Sequence, residues 1–306
     1  MDKNIFIAGD WGTSVLRLYL CRDDQILETA DGPGIAKIAG DHGDVLWGLI
    51  KSWSQKYGFV PIYLSGMVGS NIGWINTDYS QCPTTKLTLC HELTNIKHQG
   101  HDVYIVGGLS CDNPLGTTDL MRGEETQIIG AMNLNPELNK GDHLLCLPGT
   151  HTKWVLIKDG VIETFLTALT GELYALLMEH SILIQERSVY SEVAFVRGVK
   201  RSMEVKDQDL LHVLFEVRAM QIQKNLEATH AQDYLSGLLI GKDISSMQTS
   251  FPIDIPITLI GTETLTKSYK IAMKVYGLSS KECDGGRAVI AGLYELFKIQ
   301  RKEGER

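Results

Sequence analysis

Asp10-Trp11-Gly12-Thr13-Ser14 sets an acid, a glycine and two hydroxyls directly behind an apolar run. A glycine lets a phosphate approach the backbone, and Thr and Ser hydroxyls with nearby N–H groups can donate to its oxygens. An aspartate at a strand end can hold a magnesium ion through water. The same residue types also build ordinary hairpin turns, so one copy means little. A second copy is present: Pro148-Gly149-Thr150-His151 follows the apolar stretch His143 to Leu147 and leads into Thr152-Lys153. Two such bends facing each other would clamp a polyphosphate. Gly12, Thr13, Ser14, Gly149, Thr150, His151 and Lys153 are therefore candidate phosphate ligands, and Asp10 the candidate metal ligand.

Three further segments carry chemistry-capable residues. Met121-Arg122-Gly123-Glu124-Glu125-Thr126-Gln127 precedes an apolar helical run, which puts both glutamates in a first helical turn. Acids there satisfy the helix dipole, but one of them could equally take a proton from a substrate hydroxyl. Ser65 to Trp74 packs Gly66, Gly69 and Gly73 behind a buried strand, and ligands bind at the carboxyl ends of strands in open α/β sheets. There Ser70, Asn71 and Trp74 could contact a polyhydroxylated molecule. Ile260-Gly261-Thr262 ends a strand and opens a helix, so Gly261 and Thr262 could admit a nucleotide or simply cap the helix.

These segments must be held by a framework, and the pattern of apolar residues predicts one. Strands are expected over Asn4–Asp10, Ser14–Cys21 and Gln25–Ala30, with turns at Trp11–Thr13 and Arg22–Asp24. The same meander recurs over His143–Leu147, Thr152–Lys158 and Val161–Thr167. The offset that carries Gly12 to Gly149 also carries Asp23 to Gly160, the signature of a duplicated fold. Helices are expected over Val45–Tyr57, Leu173–His180, Asp209–Ile222, Ala231–Met247, Leu265–Val275 and Gly286–Lys298, the last capped by Asp284. Further strands are expected over Ile62–Ser65, Val103–Val106 and Ile255–Ile260. The division expected is an N-terminal lobe over 1–120 and a C-terminal lobe over 121–306, with 121–140 as a crossover helix.

Composition narrows the function classes. A chain of 306 residues with 43% hydrophobic and 22% charged residues is globular, and it is long enough for two lobes. Its net charge of -8 argues against nucleic-acid or anionic-membrane partners. No apolar run is long enough to span a bilayer, and the six cysteines form no C-x-x-C, so a cytoplasmic protein with free thiols is expected. The P-loop, the dinucleotide fingerprint and the nucleophile elbow are all missing. The sequence leaves self-association into a homo-oligomer open.

The doubled meander with Asp10-x-Gly12-Thr13 and Gly149-Thr150 resembles the actin-like superfamily of ATPases and sugar kinases. Within it the chain resembles the 2-dehydro-3-deoxygalactonokinase family. The residues that carry this resemblance run in the family's order. They are Asp10 to Gly12 with Leu16-Arg17, Gly66 to Trp74, Met121 to Gln127, Pro148 to His151 with Lys153-Trp154-Val155, Leu169 to Leu173, Leu214 to Ala219 and Leu235 to Gly241. The resemblance implies two ribonuclease-H-like lobes with a central cleft. It also implies Mg²⁺ and ATP-dependent phosphorylation of the 6-hydroxyl of 2-dehydro-3-deoxy-D-galactonate, a step in D-galactonate breakdown. Related kinases place the base where Gly123-Glu124-Glu125-Thr126 stands, which makes Glu124 the first choice and Glu125 the second. The sugar-acid carboxylate would take Arg122, with Arg17 behind it. A kinase for a different sugar acid or sugar, or a non-catalytic nucleotide sensor of the same fold, is the alternative.

Overall fold

A computed structural model of the chain describes residues 4–184, 186, 190–205 and 209–304. In chain order the elements begin β1 (Ile5–Trp11), β2 (Val15–Arg22), β3 (Gln25–Pro33), α1 (His42–Tyr57) and β4 (Ile62–Gly66). They continue with β5 (Tyr79–Gln81), α2 (Lys86–His91), β6 (Thr94–His98), β7 (His101–Ile105), β8 (Gly108–Asp112), β9 (Thr118–Met121) and α3 (Glu124–Leu134). Next come β10 (Asp142–Leu147), β11 (Thr152–Lys158), β12 (Val161–Ala168), α4 (Thr170–His180), α5 (Glu192–Glu204), α6 (Leu210–Ile222) and α7 (Ala231–Ser250). The chain closes with β13 (Ile257–Gly261), α8 (Glu263–Val275), β14 (Ser280–Asp284) and α9 (Gly285–Gly304).

The repeated meander appears as a repeated sheet order. The first sheet runs β3-β2-β1-β4-β7-β6 and the second β12-β11-β10-β13-β14. In each, the third, second and first meander strands lie side by side, followed by the strand that returns after a helical crossover. β1 pairs with β2 antiparallel and with β4 parallel, and β10 pairs with β13 parallel. A right-handed crossover through a helix is the common way to make such a parallel return.

The chain divides into two compact units. One comprises Met1–Gly141, Ile157–Thr164 and Asp284–Arg306; the other comprises Asp142–Leu156 and Phe165–Cys283. This division differs from the boundary expected at 120/121. Residues 121–141 and the final helix count with the first unit because α3 and α9 cross in close contact. A Cβ on Gly130 would run into the Ala288 carbonyl, and one on Gly292 into that of Thr126. Asp284 does cap α9, accepting from the Arg287 N–H at 2.7 Å.

The core of the first unit joins Leu16, Leu18 and Leu20 of β2 to Ile62 and Leu64 of β4 and to Leu46 and Ile50 of α1. On the other face Phe6 stacks on Phe297 of α9 with centroids 4.7 Å apart. In the second unit Leu144, Cys146, Trp154 and Leu259 pack with Ile240, Ile244 and Met247 of α7. The expected crossover region is richer than its turn residues suggest: β8 and β9 pair antiparallel across Asp112-Asn113-Pro114 and form a small sheet with β5. Helix α5 was not expected. Its buried stripe Ala194, Phe195, Gly198, Val199 and Ser202 recurs at helical spacing, with the glycine Gly198 inside it. That glycine is what lets it press onto the Tyr234 carbonyl of α7. No described helix is long and apolar enough to cross a membrane.

Candidate active site

Strand β1 delivers Asp10 to its carboxyl end, where it faces Arg17 across the β2 register and Ser65 across the β4 register. The Arg17 guanidinium stands 3.8 Å from the carboxylate. Burial pushes the Asp10 carboxyl above its usual range and Arg17 pulls it back down. The Gly12 N–H donates to the Val15 carbonyl at 3.0 Å and closes the bend. Ile35 and Ala36 then donate their N–H groups to the Gly12 and Thr13 carbonyls, each at 3.1 Å, which fixes the bend from behind. Thr13 and Ser14 remain exposed. A Cβ on Gly34 would collide with the Ser14 and Val15 backbone, a constraint that only the folded chain reveals.

The loop after β4 is tightly knit. Gly66 sits at φ +94°, in the region that favours glycine. Ser70 is buried and donates its hydroxyl to the Met67 carbonyl at 2.8 Å, so it closes the loop locally. Asn71 is exposed, and the half-buried Trp74 meets the His98 ring edge-on at 5.2 Å. Arg122 braces the far end of this loop. Its guanidinium donates to the Thr77 hydroxyl and to the Thr77 carbonyl at 2.9 Å, and lies 4.3 Å from the Tyr79 ring centroid. Its Nε is buried without a partner.

Helix α3 begins against this loop, since a Cβ on Gly123 would lie 3.4 Å from the Gly66 Cα. Gly66 in turn abuts Asp10, whose Oδ1 is 3.5 Å from where a Gly66 Cβ would stand. Asp10, Gly66 and Gly123 thus bring the candidate metal ligand and both glutamates to one strand-end edge of the first unit. The two acids differ sharply there. Glu124 is half-buried and accepts from the Arg122 N–H at 3.2 Å. Glu125 is fully buried and accepts from the Gly123 N–H at 2.6 Å and from the Thr126 hydroxyl at 3.0 Å. Ser65 donates to Thr126 at 2.8 Å and completes the chain. Burial above all, with the Glu124 charge adding to it, pushes the Glu125 carboxyl up to about 7, against the hydrogen bonds that favour its ionised form. Ser65, Thr126 and Thr77 are not singled out by the sequence: Ser65 and Thr126 are short polar side chains among buried neighbours, and Thr77 is a single buried residue between exposed Asn76 and Asp78, so none carries a periodic signal.

In the second unit the Gly149-Thr150 bend is gripped by the start of α4. A Cβ on Gly171 would lie 2.9 Å from the Thr150 Cα, and the Glu172 N–H donates to the Thr150 carbonyl at 2.9 Å. His151 pairs with the Glu172 carboxylate, both side chains being open to solvent. Lys153 is buried on β11, only 4% exposed. Gly261, at the end of β13, comes within 3.6 Å of Pro148 by its hypothetical Cβ, and Thr262 opens α8 beside it. The second bend, Gly171 and the Gly261-Thr262 junction therefore adjoin. Beneath them lies buried Asp243, another residue outside the sequence expectations. The available signal was an acid set beside Lys242 directly after the apolar stretch Leu238 to Gly241.

One described carboxylate at a strand end is a donor set suited to Mg²⁺, which takes one or two carboxylates and completes its shell with phosphate oxygens and water. Among the described residues no cluster of three or more His, Cys, Asp or Glu side chains forms a dedicated metal cage.

Comparison with known proteins matches the chain to one family. The family model described as 2-keto-3-deoxy-galactonokinase matches residues 10–296. The 2-dehydro-3-deoxygalactonokinase of Escherichia coli K12 is 34% identical over 298 residues, covering 95% of this chain and 97% of that protein. A Rhizobium meliloti protein, named as a probable 2-dehydro-3-deoxygalactonokinase, is also 34% identical, over 94% of this chain and 95% of its own. A crystal structure from Sinorhizobium meliloti, provisionally named for the same activity, superposes with a TM-score of 0.86 at 33% identity, covering 95% and 97% of the two chains. The activator of 2-hydroxyisocaproyl-CoA dehydratase from Clostridium difficile, solved with ADPNP, gives 0.53 at 11% identity over 99% and 98%. That last likeness speaks to the fold alone, an α/β architecture of the actin-like ATPase kind.

Proposed function

Because the chain belongs to the 2-keto-3-deoxy-galactonokinase family, a family of sugar-acid kinases, we propose that it transfers the γ-phosphoryl group of ATP to the 6-hydroxyl of 2-dehydro-3-deoxy-D-galactonate, within D-galactonate breakdown. The adjacency of Asp10, Gly66 and Gly123 supports this reading most directly. It gives one edge an acid for metal-bound phosphate and a carboxylate for the attacking hydroxyl.

Phosphoryl transfer asks little covalent chemistry of a protein; it needs positioning, charge neutralisation and a proton acceptor. Glu124 is assigned as the base, being half-buried and so open to a substrate, while Glu125 is sealed and fully engaged. The hydroxyl oxygen attacks the γ-phosphorus as its proton passes to Glu124. The new O–P bond forms while the bond to the β,γ-bridging oxygen breaks, and ADP leaves. Thr13 and Ser14 donate to phosphate oxygens, as does the Gly149-Thr150 bend, with His151 and Lys153 nearby. Asp10 would hold Mg²⁺, which when bound offsets phosphate charge. Asn71 and Trp74, with Ser70 closing their loop, are assigned to the sugar acid, and its carboxylate to Arg122 or Arg17. Gly261 and Thr262 are assigned to the nucleoside.

The experiment is ADP production with a panel of sugar acids and free sugars. Activity confined to 2-dehydro-3-deoxy-D-galactonate supports the reading. Preference for another sugar acid replaces the substrate, and nucleotide binding without any turnover points to a sensor.

A further inference from the structure

Asp243 lies on α7 next to buried Lys242 and one turn from the core residues Ile240 and Met247, and is 6% exposed. One carboxylate oxygen accepts from the Trp154 indole N–H at 2.8 Å. The other accepts from the Thr170 hydroxyl at 2.9 Å and from the Tyr269 hydroxyl. Tyr269 has one proton to give, so once it donates to Asp243 it receives from Thr152, 2.8 Å away. Three donors from three different elements therefore converge on one acid.

What those elements carry gives the convergence its meaning. Thr152 and Trp154 belong to β11, which leaves the Gly149-Thr150 bend directly. Thr170 opens α4 and immediately precedes Gly171, which presses on that bend. Tyr269 sits on α8, the helix that starts behind Gly261 and Thr262. Burying a carboxylate is costly, and an apolar side chain of similar size would fill this core without that cost. A buried acid answered by donors on every adjoining element favours one exact arrangement of them over slightly shifted ones.

We propose that Asp243 is a positioning residue for nucleotide binding, locking the Gly149-Thr150 bend, the start of α4 and helix α8 into one phosphate-receiving geometry. This rests on the assignment of those segments to ATP made above. Asp243 itself touches no substrate. Loss of the carboxylate loosens the nucleotide side and leaves the sugar-acid loop, which belongs to the other unit, as it was.

The test compares the wild-type chain with Asp243→Ala, Asp243→Asn and Tyr269→Phe. KM for ATP and for 2-dehydro-3-deoxy-D-galactonate is measured separately, with MgADP binding by calorimetry and a thermal melt for each. Asp243→Ala is expected to raise the KM for ATP about tenfold or more, since small misplacements of binding groups carry such losses. The KM for the sugar acid should stay within about twofold. Asp243→Asn should recover most of the loss. Its amide oxygen can take the indole N–H, and its NH₂ can face the two hydroxyls, which are free to turn and accept. Should Asp243→Ala fail to melt cooperatively, Tyr269→Phe, which keeps the ring volume, carries the same comparison. A folded variant with an unchanged KM for ATP, equal rises in both constants, or no rescue by Asn overturns the proposal. A wild type that binds MgADP but phosphorylates no sugar acid sinks the kinase reading instead. The calorimetric comparison then still decides the role of Asp243.

Discussion

Gly171 and Gly149 meet backbone to backbone: a Cβ on Gly171 would collide with the Gly149 carbonyl oxygen and come within 2.9 Å of the Thr150 Cα. Nothing flexible lies in that contact, so an added methyl group must displace the bend itself. Gly171→Ala is therefore expected to cut kcat/KM for ATP by about tenfold or more, with the KM for the sugar acid nearly unchanged. Steady-state kinetics with each substrate varied in turn checks this. An unaltered constant for ATP would separate the bend from nucleotide binding.

The two neighbouring glutamates should answer differently to loss of charge. Glu124→Gln removes the assigned base, and at saturating substrates its kcat is expected to fall by about 10²- to 10⁴-fold. Glu125→Gln leaves a polar group that can still accept from the Gly123 N–H, and its loss should be much smaller. Near-wild-type turnover in Glu124→Gln would remove Glu124 from the role.

Glu125 also makes stability depend on pH. Its carboxyl stands at about 7 in the folded chain, against an ordinary value of 4.5. The folded state therefore holds this proton more tightly than the unfolded one. The stabilisation is complete below about 4.5, and is lost as pH rises through about 7. Glu125→Gln, which never ionises, should match wild type in melting temperature near pH 4.5 and exceed it at pH 8. Parallel melts across that range measure the gap, and a gap that does not change with pH contradicts the placement of Glu125.

How much of this was legible beforehand follows from the range of each interaction. The bends at Gly12 and Gly149 announce themselves because their glycines and hydroxyls are adjacent in the chain and recur after a fixed interval. The Gly66–Trp74 loop and the Gly123-Glu124-Glu125 helix start are local in the same way. Gly34, packed on Ser14, and Gly171, packed on Gly149, serve contacts between distant segments, so their spacing carries no mark of it. Ser70 read as a substrate contact, yet its hydroxyl closes its own loop onto Met67. The contact of Gly198 on α5 with the Tyr234 carbonyl of α7 joins distant segments as those of Gly34 and Gly171 do, and nothing in the local sequence marks it.

Asp10 offers its carboxylate at the end of β1 with its side chain one-third exposed and Arg17 alongside. Removing divalent metal with a chelator should stop turnover, and Mg²⁺ should restore it. Asp10→Asn should raise the Mg²⁺ concentration needed for half-maximal rate about tenfold or more. A variant with the wild-type metal requirement would show that Asp10 serves another purpose.

The account as a whole rests on phosphoryl transfer to a sugar acid. The most direct measurement is release of ADP from MgATP by the purified chain, with and without 2-dehydro-3-deoxy-D-galactonate, followed by identification of the phosphorylated carbon. The account predicts that ADP appears only when the sugar acid is present, in equal amount to a product bearing phosphate on its 6-oxygen. Release of ADP that ignores the sugar acid, or no release at all, would contradict it.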